Sequence, residues 1–265
     1  MLEPEIQSRL DHAVAIARRA GQLVMSYAKQ AVAVERKSDD SPVTVADREA
    51  EKQLRAEIER AFPDDSIVGE EHPPKEGTSR FRWILDPIDG TKTFIAGVPL
   101  FGTLVAVQRN EESVIGVIEI PAIDERVYAA IGGGAYWQIG DASPQRTQVA
   151  SCERLADALY VTTDVQSFAQ RGAQAVHQQL ADATWYSRTW GDCYGYFLVA
   201  TGRATVMVDP LMNLWDAAAL LPVITEAGGT FTDWSGAPRV DSGDSVATNG
   251  KVAEEVLQIT RQFAK

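Results

Sequence analysis

The chain has 265 residues, 45% of them hydrophobic, and a formal net charge of −12. This is enough apolar material for one globule or two closely packed halves, while the negative balance argues against nucleic-acid or anionic-membrane surfaces, which need basic patches. The two cysteines, Cys152 and Cys193, lie far apart and form no CxxC pair, so a reduced, cytoplasmic setting is the natural expectation; no stretch approaches the roughly 20 apolar residues of a membrane span, and the first residues lack a signal-peptide pattern.

Residues 5–29 carry Ile6, Leu10, Ala13, Ala17, Ala20 and Val24 at helical spacing, which predicts an amphipathic helix. A short strand is expected over 32–37 and a polar turn over 38–42; Lys37 could reach a nearby acidic site, but is read first as a solvated lysine. Thr44-Val45-Ala46-Asp47 has the Ser/Thr-x-x-acid pattern that opens a helix, here to about residue 61, so Asp47 is first a cap. A strand over 66–69 delivers Glu70 and Glu71; adjacent acids on a strand point to opposite sides, so one at most should enter a given site.

The strand 81–85 runs into Asp86-Pro87-Ile88-Asp89-Gly90-Thr91. Pro87 fixes one backbone dihedral between two carboxylates, and Gly90 permits close approach of the backbone to a ligand. A short helix after Gly90 would aim free amides at the same spot, pairing a cation site with an anion site. A hairpin is expected from 100–108 and 114–120, then a strand over 126–131 and a turn at 132–134.

Beyond residue 143 strands and helices alternate: strands at 159–163, 184–188 and 205–208, helices at 166–180, from 191 to 202 and at 217–227, and a last helix from 251. Asp192, Asp209 and Asp216 fall at element ends, and Gly228-Gly229 closes the 217–227 helix. The expected division is an N-terminal half, 1–142, with the metal and phosphate motifs and a C-terminal half, 143–265, completing the metal site and carrying specificity. A cleft between them is the default ligand site. Carboxylates without a Cys/His cluster favour Mg²⁺ over zinc, and His12, His72 and His177 are scattered surface or helix histidines.

Gly69-Glu70-Glu71, Trp83-Ile84-Leu85-Asp86-Pro87-Ile88-Asp89-Gly90-Thr91, and Trp215-Asp216-Ala217-Ala218-Ala219 with Glu226-Ala227-Gly228-Gly229 resemble the signatures of the inositol monophosphatase family. Three motifs in register cover nearly the whole chain. The resemblance implies an α+β, five-layer αβαβα sandwich of the inositol monophosphatase / fructose-1,6-bisphosphatase type, and a Mg²⁺-dependent phosphomonoesterase using two or three ions. It implies metal binding by Glu70, Asp86, the Ile88 carbonyl, Asp89 and Asp216, and phosphate binding at the amides of Gly90 and Thr91. It further implies water activation by Asp47 and Thr91, with Glu70 also assigned to catalysis, and it suggests a homodimer. Lys92 resembles both histidinol-phosphatase-type and 3′-phosphonucleotide-phosphatase-type relatives, while the segment Arg188-Thr189-Trp190-Gly191-Asp192-Cys193-Tyr194-Gly195-Tyr196 is similar to the histidinol-phosphate phosphatase branch, as is Asp209-Pro210 through Asn213-Leu214-Trp215-Asp216. Arg188, Asp192, Asp209 and Asn213 are therefore the expected substrate contacts, with Asp192 and Asp209 suited to an ammonium or imidazole. Asp192 is equally a helix-capping candidate. Inositol monophosphate or a 3′-phosphonucleotide is the alternative substrate. A haloacid-dehalogenase mechanism is disfavoured, since its two acids stand two apart rather than three, and a catalytically silent sensor would have lost a ligand, whereas none is missing.

Overall fold

The computed structural model describes residues 2–28, 30, 33–37 and 42–264. Helix α1 (Pro4–Tyr27) starts on a proline, whose missing N–H costs nothing in the first turn, and buries Ile6, Leu10, Ala13, Ala17, Ala20 and Val24. Strands β1 (Val34–Arg36) and β2 (Pro42–Thr44) pair antiparallel. The expected strand is shorter than foreseen; Val32, and residues 38–41 of the expected turn, lie outside the described residues, while Pro42 opens β2. Thr44 then caps α2 (Val45–Ala61).

The strands that follow are β3 (Ser66–Gly69), β4 (Phe81–Asp89), β5 (Gly102–Arg109), β6 (Glu112–Ile120), β7 (Glu125–Ala130), β8 (Gly134–Ile139) and β9 (Gln145–Arg146), with α3 (Thr91–Ile95) between β4 and β5. They form one seven-stranded sheet in chain order, with β3 parallel to β4 and every later pair antiparallel. Asn110 and Glu111, both at positive φ, make the tight turn between β5 and β6 that right-handed strand twist favours, so the expected five-residue loop shrinks to two. β4 runs four residues past its expected end, carrying Asp86 and Asp89 into the sheet.

The second sheet has the order β11-β10-β12-β14-β13, built from β10 (Leu159–Val161), β11 (Tyr186–Arg188), β12 (Val206–Asp209), β13 (Thr230–Thr232) and β14 (Ser245–Thr248). β11, β10 and β12 are parallel, and β14 and β13 complete it antiparallel. Its helices are α4 (Val165–Arg171), α5 (Gln174–Ala183), α6 (Asp192–Ala200), α7 (Leu214–Ala217), α8 (Leu220–Glu226) and α9 (Ala253–Thr260). Two expected helices are thus each divided. The 166–180 helix ends at Gly172, at φ 77°, the left-handed stop that glycine adopts cheaply. The 217–227 helix is really two, because Pro222 has no N–H to donate one turn back. The break brings the Ala219 carbonyl so close to β6 that a Cβ on Gly116 would lie 2.0 Å from it.

Alternation along the strands assigns the layers. On β4, Phe81, Trp83 and Leu85 pack with α1 and α2, while Ile84 faces the other way, onto the cluster holding α6 and α8. On β10, Leu159 and Val161 join that same central cluster and Tyr160 packs with α4, α5 and α9. The result is five layers, α1/α2, sheet, α6–α8, sheet, α4/α5/α9: an α+β sandwich. The first sheet takes in Gln145–Arg146, so its last strand lies beyond position 142.

Candidate active site

The acids converge where the two halves meet. Carboxylate oxygens of Asp86, Asp89 and Asp216 lie within 4.8 Å of one another. Asp86 comes from the interior of β4 and accepts the Ile88 amide at 3.0 Å, which folds the Asp86-Pro87-Ile88 backbone around its own side chain. The β4–β5 register slips between Asp86 and Asp89, a bulge that re-aims both acids to one place. Asp216 arrives from the opposite half at the third position of α7, where Oδ2 accepts the Asn213 amide N–H at 2.7 Å and its side-chain N–H at 3.2 Å.

Burial, followed by the charges of Glu70 and Asp89, pushes the Asp86 carboxyl well up. Burial, then Asp192 and Asp216, does the same to Asp89. Burial raises Asp216 to about 6 against its bonds from Asn213. Three carboxylates that resist ionising together fit a hard divalent cation, whose charge reverses the repulsion and whose chemistry prefers oxygen ligands.

Glu70 lies at the edge of this group. Lys37 donates to Glu70 Oε1 at 2.7 Å and to Glu71 Oε1 at 2.5 Å. Both acids therefore reach one ammonium, against the expectation that at most one of them would enter a given site: they follow the end of β3, where strand alternation no longer applies. Lys37 is likewise no free solvated lysine. Burial opposes its charge, yet the two carboxylates hold its pKa above the ordinary value. Burial takes Glu70 up to about 7 despite that bond.

Asp47 serves two purposes at once. Its Oδ2 accepts the Thr44 amide at 2.8 Å and the Thr44 hydroxyl at 2.5 Å, the cap that its spacing announced. Its Oδ1 faces the Thr91 hydroxyl at 3.3 Å, which also lies 3.1 Å from the Ile88 carbonyl. Burial raises the Asp47 carboxyl, with the bonds from Thr44 and Thr91 opposing. Gly90, at φ 85°, turns the chain into α3, whose first amides have no partner inside the helix.

A cavity of about 210 Å³ opens beside Asp89 and Asp216 and is walled by Lys92, Thr163, Asp164, Asp192, Tyr196 and Asp209. Of the expected substrate contacts, Asp192 and Asp209 line it; Arg188 and Asn213 do not. Arg188 is exposed and donates to the Ser187 carbonyl, with its guanidinium over the Tyr186 ring, and Asn213 is turned to Asp216. Asp209 also departs from expectation. Its Oδ1 accepts the Thr162 hydroxyl (3.2 Å) and the Thr163 amide (2.9 Å), and its Oδ2 accepts the Thr163 and Tyr196 hydroxyls (2.9 and 3.0 Å). All four lone-pair positions are taken by its own chain, leaving none for a substrate ammonium. Asp192 is different. Its Oδ2 accepts the Thr93 hydroxyl at 3.0 Å, and its Oδ1 takes no hydrogen bond from the described residues. Tyr196 belongs to the branch-like segment but has no expected role there, and Thr163 and Asp164 were not anticipated: nothing in their spacing marks them, because only the fold brings the β10–α4 connection and α6 to one wall.

Among the histidines, His12 meets the Phe62 and Trp83 rings edge-on, His72 Nε2 lies 3.1 Å from the Arg48 carbonyl and His177 bonds the Tyr160 hydroxyl. No helix of the described residues is long and apolar enough to cross a membrane.

Three carboxylates drawn from the two halves, beside the first amides of α3 and a small polar cavity, have the chemistry to hold a divalent cation next to an anion. A family model for the inositol monophosphatase family matches residues 5–264. The chain is similar to the histidinol-phosphatase of Chlorobaculum parvum, 38% identical over 97% of this chain and 96% of the other. It is also similar to the fructose-1,6-bisphosphatase/inositol-1-monophosphatase of Thermotoga maritima, 32% identical over 97% of each. The solved inositol monophosphatase of Zymomonas mobilis superimposes with a TM-score of 0.84 at 30% identity, covering 98% of this chain and 100% of that one. The chain belongs to the inositol monophosphatase family, and it is a phosphatase.

Proposed function

We propose that this protein hydrolyses histidinol phosphate to histidinol and phosphate with Mg²⁺ held by Asp86, Asp89 and Asp216, assisted by Glu70 and the Ile88 carbonyl. The observation that carries the substrate assignment is the Asp192 carboxylate, which lines the cavity with Oδ1 taking no hydrogen bond from the described residues, where the described lining holds one cation, Lys92. A substrate with an ammonium and an imidazole beyond its phosphate neutralises that wall. A substrate with a second phosphate would call for arginine or lysine there. Similarity to named histidinol-phosphatases supports the same reading.

When bound, the divalent cation offsets charge on the phosphoryl oxygens and makes water easier to ionise. The amides of Gly90 and Thr91 donate to those oxygens. Asp47 accepts the Thr91 proton as Thr91 takes one from the attacking water, which orients that water in line with the phosphorus–oxygen bond that breaks. Positioning and electrostatics supply most of the rate, and no covalent intermediate is needed.

Phosphate release from histidinol phosphate, inositol 1-phosphate and 3′-phosphoadenosine 5′-phosphate, each with Mg²⁺ and with excess chelator, tests both parts. Histidinol phosphate is expected to give the highest kcat/KM, and chelator to abolish activity on all three. Preference for either other ester overturns the substrate assignment, and full activity in chelator overturns the metal assignment.

A further inference from the structure

Asp209 is saturated by its own chain, yet it sits on the cavity wall, 2% exposed. Its bonding partners show what a buried carboxylate does there. The Thr163 hydroxyl donates to Asp209 Oδ2 at 2.9 Å and in the same geometry accepts the backbone N–H of Asp192 at 2.8 Å. One hydroxyl thus joins the end of β12 to the first residue of α6. The bridge needs a group that donates and accepts at one atom, which a short hydroxyl side chain, threonine or serine, supplies.

Three further features fix the same junction. A Cβ on Gly191 would lie 2.0 Å from Thr163 Cα, so the backbone before α6 rests directly on Thr163. Asp192 itself is held at φ 49°, a conformation that costs an L-residue energy and persists when its surroundings over-determine it. On the far side, the Cys193 amide donates to Asp89 Oδ2, and Thr93 holds Asp192 Oδ2. The start of α6 is therefore clamped between the acidic cluster and Thr163.

We propose that Thr163 is a positioning residue for substrate recognition: braced by Asp209, its hydroxyl fixes the start of α6 and so aims the Asp192 carboxylate across the cavity. Asp209 acts through Thr163 and does not touch the substrate. This rests on the reading of Asp192 as the group that meets the cationic end of histidinol phosphate. Without the bridge, the start of α6 keeps only the bond from the Cys193 amide to Asp89 as a backbone anchor, and a carboxylate that must meet an ammonium at hydrogen-bond distance loses its aim.

The test compares Thr163→Val, Thr163→Ala, Thr163→Ser and Asp192→Asn, each with Mg²⁺, on histidinol phosphate and on glycerol 2-phosphate, which lacks the amine and imidazole. The readout is the ratio of kcat/KM for the two esters, together with a thermal melt. Thr163→Val is expected to lower the ratio about tenfold, chiefly through KM for histidinol phosphate, and Thr163→Ser, which keeps the hydroxyl, to restore it to within about twofold. Thr163→Ala, which adds no bulk, gives the same answer if the valine variant does not fold. Equal losses on both esters in folded Thr163→Val or Thr163→Ala, or a ratio that serine does not restore, overturn the proposal. If Asp192→Asn leaves the ratio unchanged, the Asp192 reading itself fails. If Asp192→Asn lowers the ratio and neither hydroxyl-free Thr163 variant does, only the role of Thr163 fails.

Discussion

At the scale of single residues the site divides its carboxylates by how their oxygens are occupied. Thr91 donates toward Asp47, and in the proposed mechanism its removal takes away the group that passes the water proton on. Thr91→Ala is expected to lower kcat about 100-fold, with KM moved much less; a folded variant with wild-type turnover sinks the water-activation role. Asp209 calls for a different expectation. Each of its acceptor positions faces a donor, so an asparagine would turn an N–H into donors and leave buried groups unpaired. Asp209→Asn should destabilise the fold by about 1–3 kcal/mol, read as a lowered denaturation midpoint with an unchanged slope. An unaffected midpoint would mean that these bonds are not held in solution. Asp209 looked like a substrate contact because a carboxylate seven residues before Asp216 has the right address, and its partners Thr162, Thr163 and Tyr196 come from elements that no spacing rule connects to it.

At the scale of elements, two site carboxylates are delivered by the same device. Asp47 stands at the third position of α2 and Asp216 at the third position of α7, and each commits one oxygen to the residue that caps its helix. The cap orients the carboxylate and leaves the other oxygen for the site. Thr-x-x-Asp was legible as a cap, and the resemblance implied the chemistry; in the structure one oxygen of Asp47 takes the cap bonds and the other faces Thr91. Thr44→Val keeps the shape of the cap and removes its hydroxyl. It should cost about 1 kcal/mol of stability and lower kcat several-fold, because Asp47 loses its 2.5 Å partner. A stability loss with full kcat would show that the cap supports the helix alone. In the first sheet β5, β6 and β7 were readable from their apolar, Val- and Ile-containing runs and β3 matches its expected bounds, whereas β8 and β9 were not foreseen. The helix ends were not, since the stop at Gly172 depends on a left-handed turn and the α7–α8 break on one absent N–H.

At the scale of the whole molecule, the acidic cluster spans both halves: Asp86 and Asp89 come from the first sheet, and Asp216 from the helical layer between the sheets. Holding these acids together without a compensating cation works against folding, and the pKa shifts give the sign. Glu70 stands at about 7 and Asp216 at about 6, both above the ordinary carboxylate values. A carboxyl whose folded pKa is raised contributes stability that is fully present below its unfolded pKa, about 4, and that is lost as pH rises through the folded value. Metal-free protein should therefore lose stability between about pH 4 and pH 7 from this source. Mg²⁺ held as proposed would bind the ionised carboxylates, so its stabilising effect should grow over the same interval. At a concentration of about 100 times Kd, linkage contributes about 2.7 kcal/mol, a shift of several degrees in Tm for a chain of this size. The measurement is Tm with Mg²⁺ minus Tm with chelator, at pH 5 and at pH 7.5, in wild type and in Asp86→Asn. The difference is expected to be larger at pH 7.5 in wild type and reduced at both pH values in the variant. A difference independent of pH, or one that Asp86→Asn leaves intact, would place the stabilising ion somewhere other than between these carboxylates.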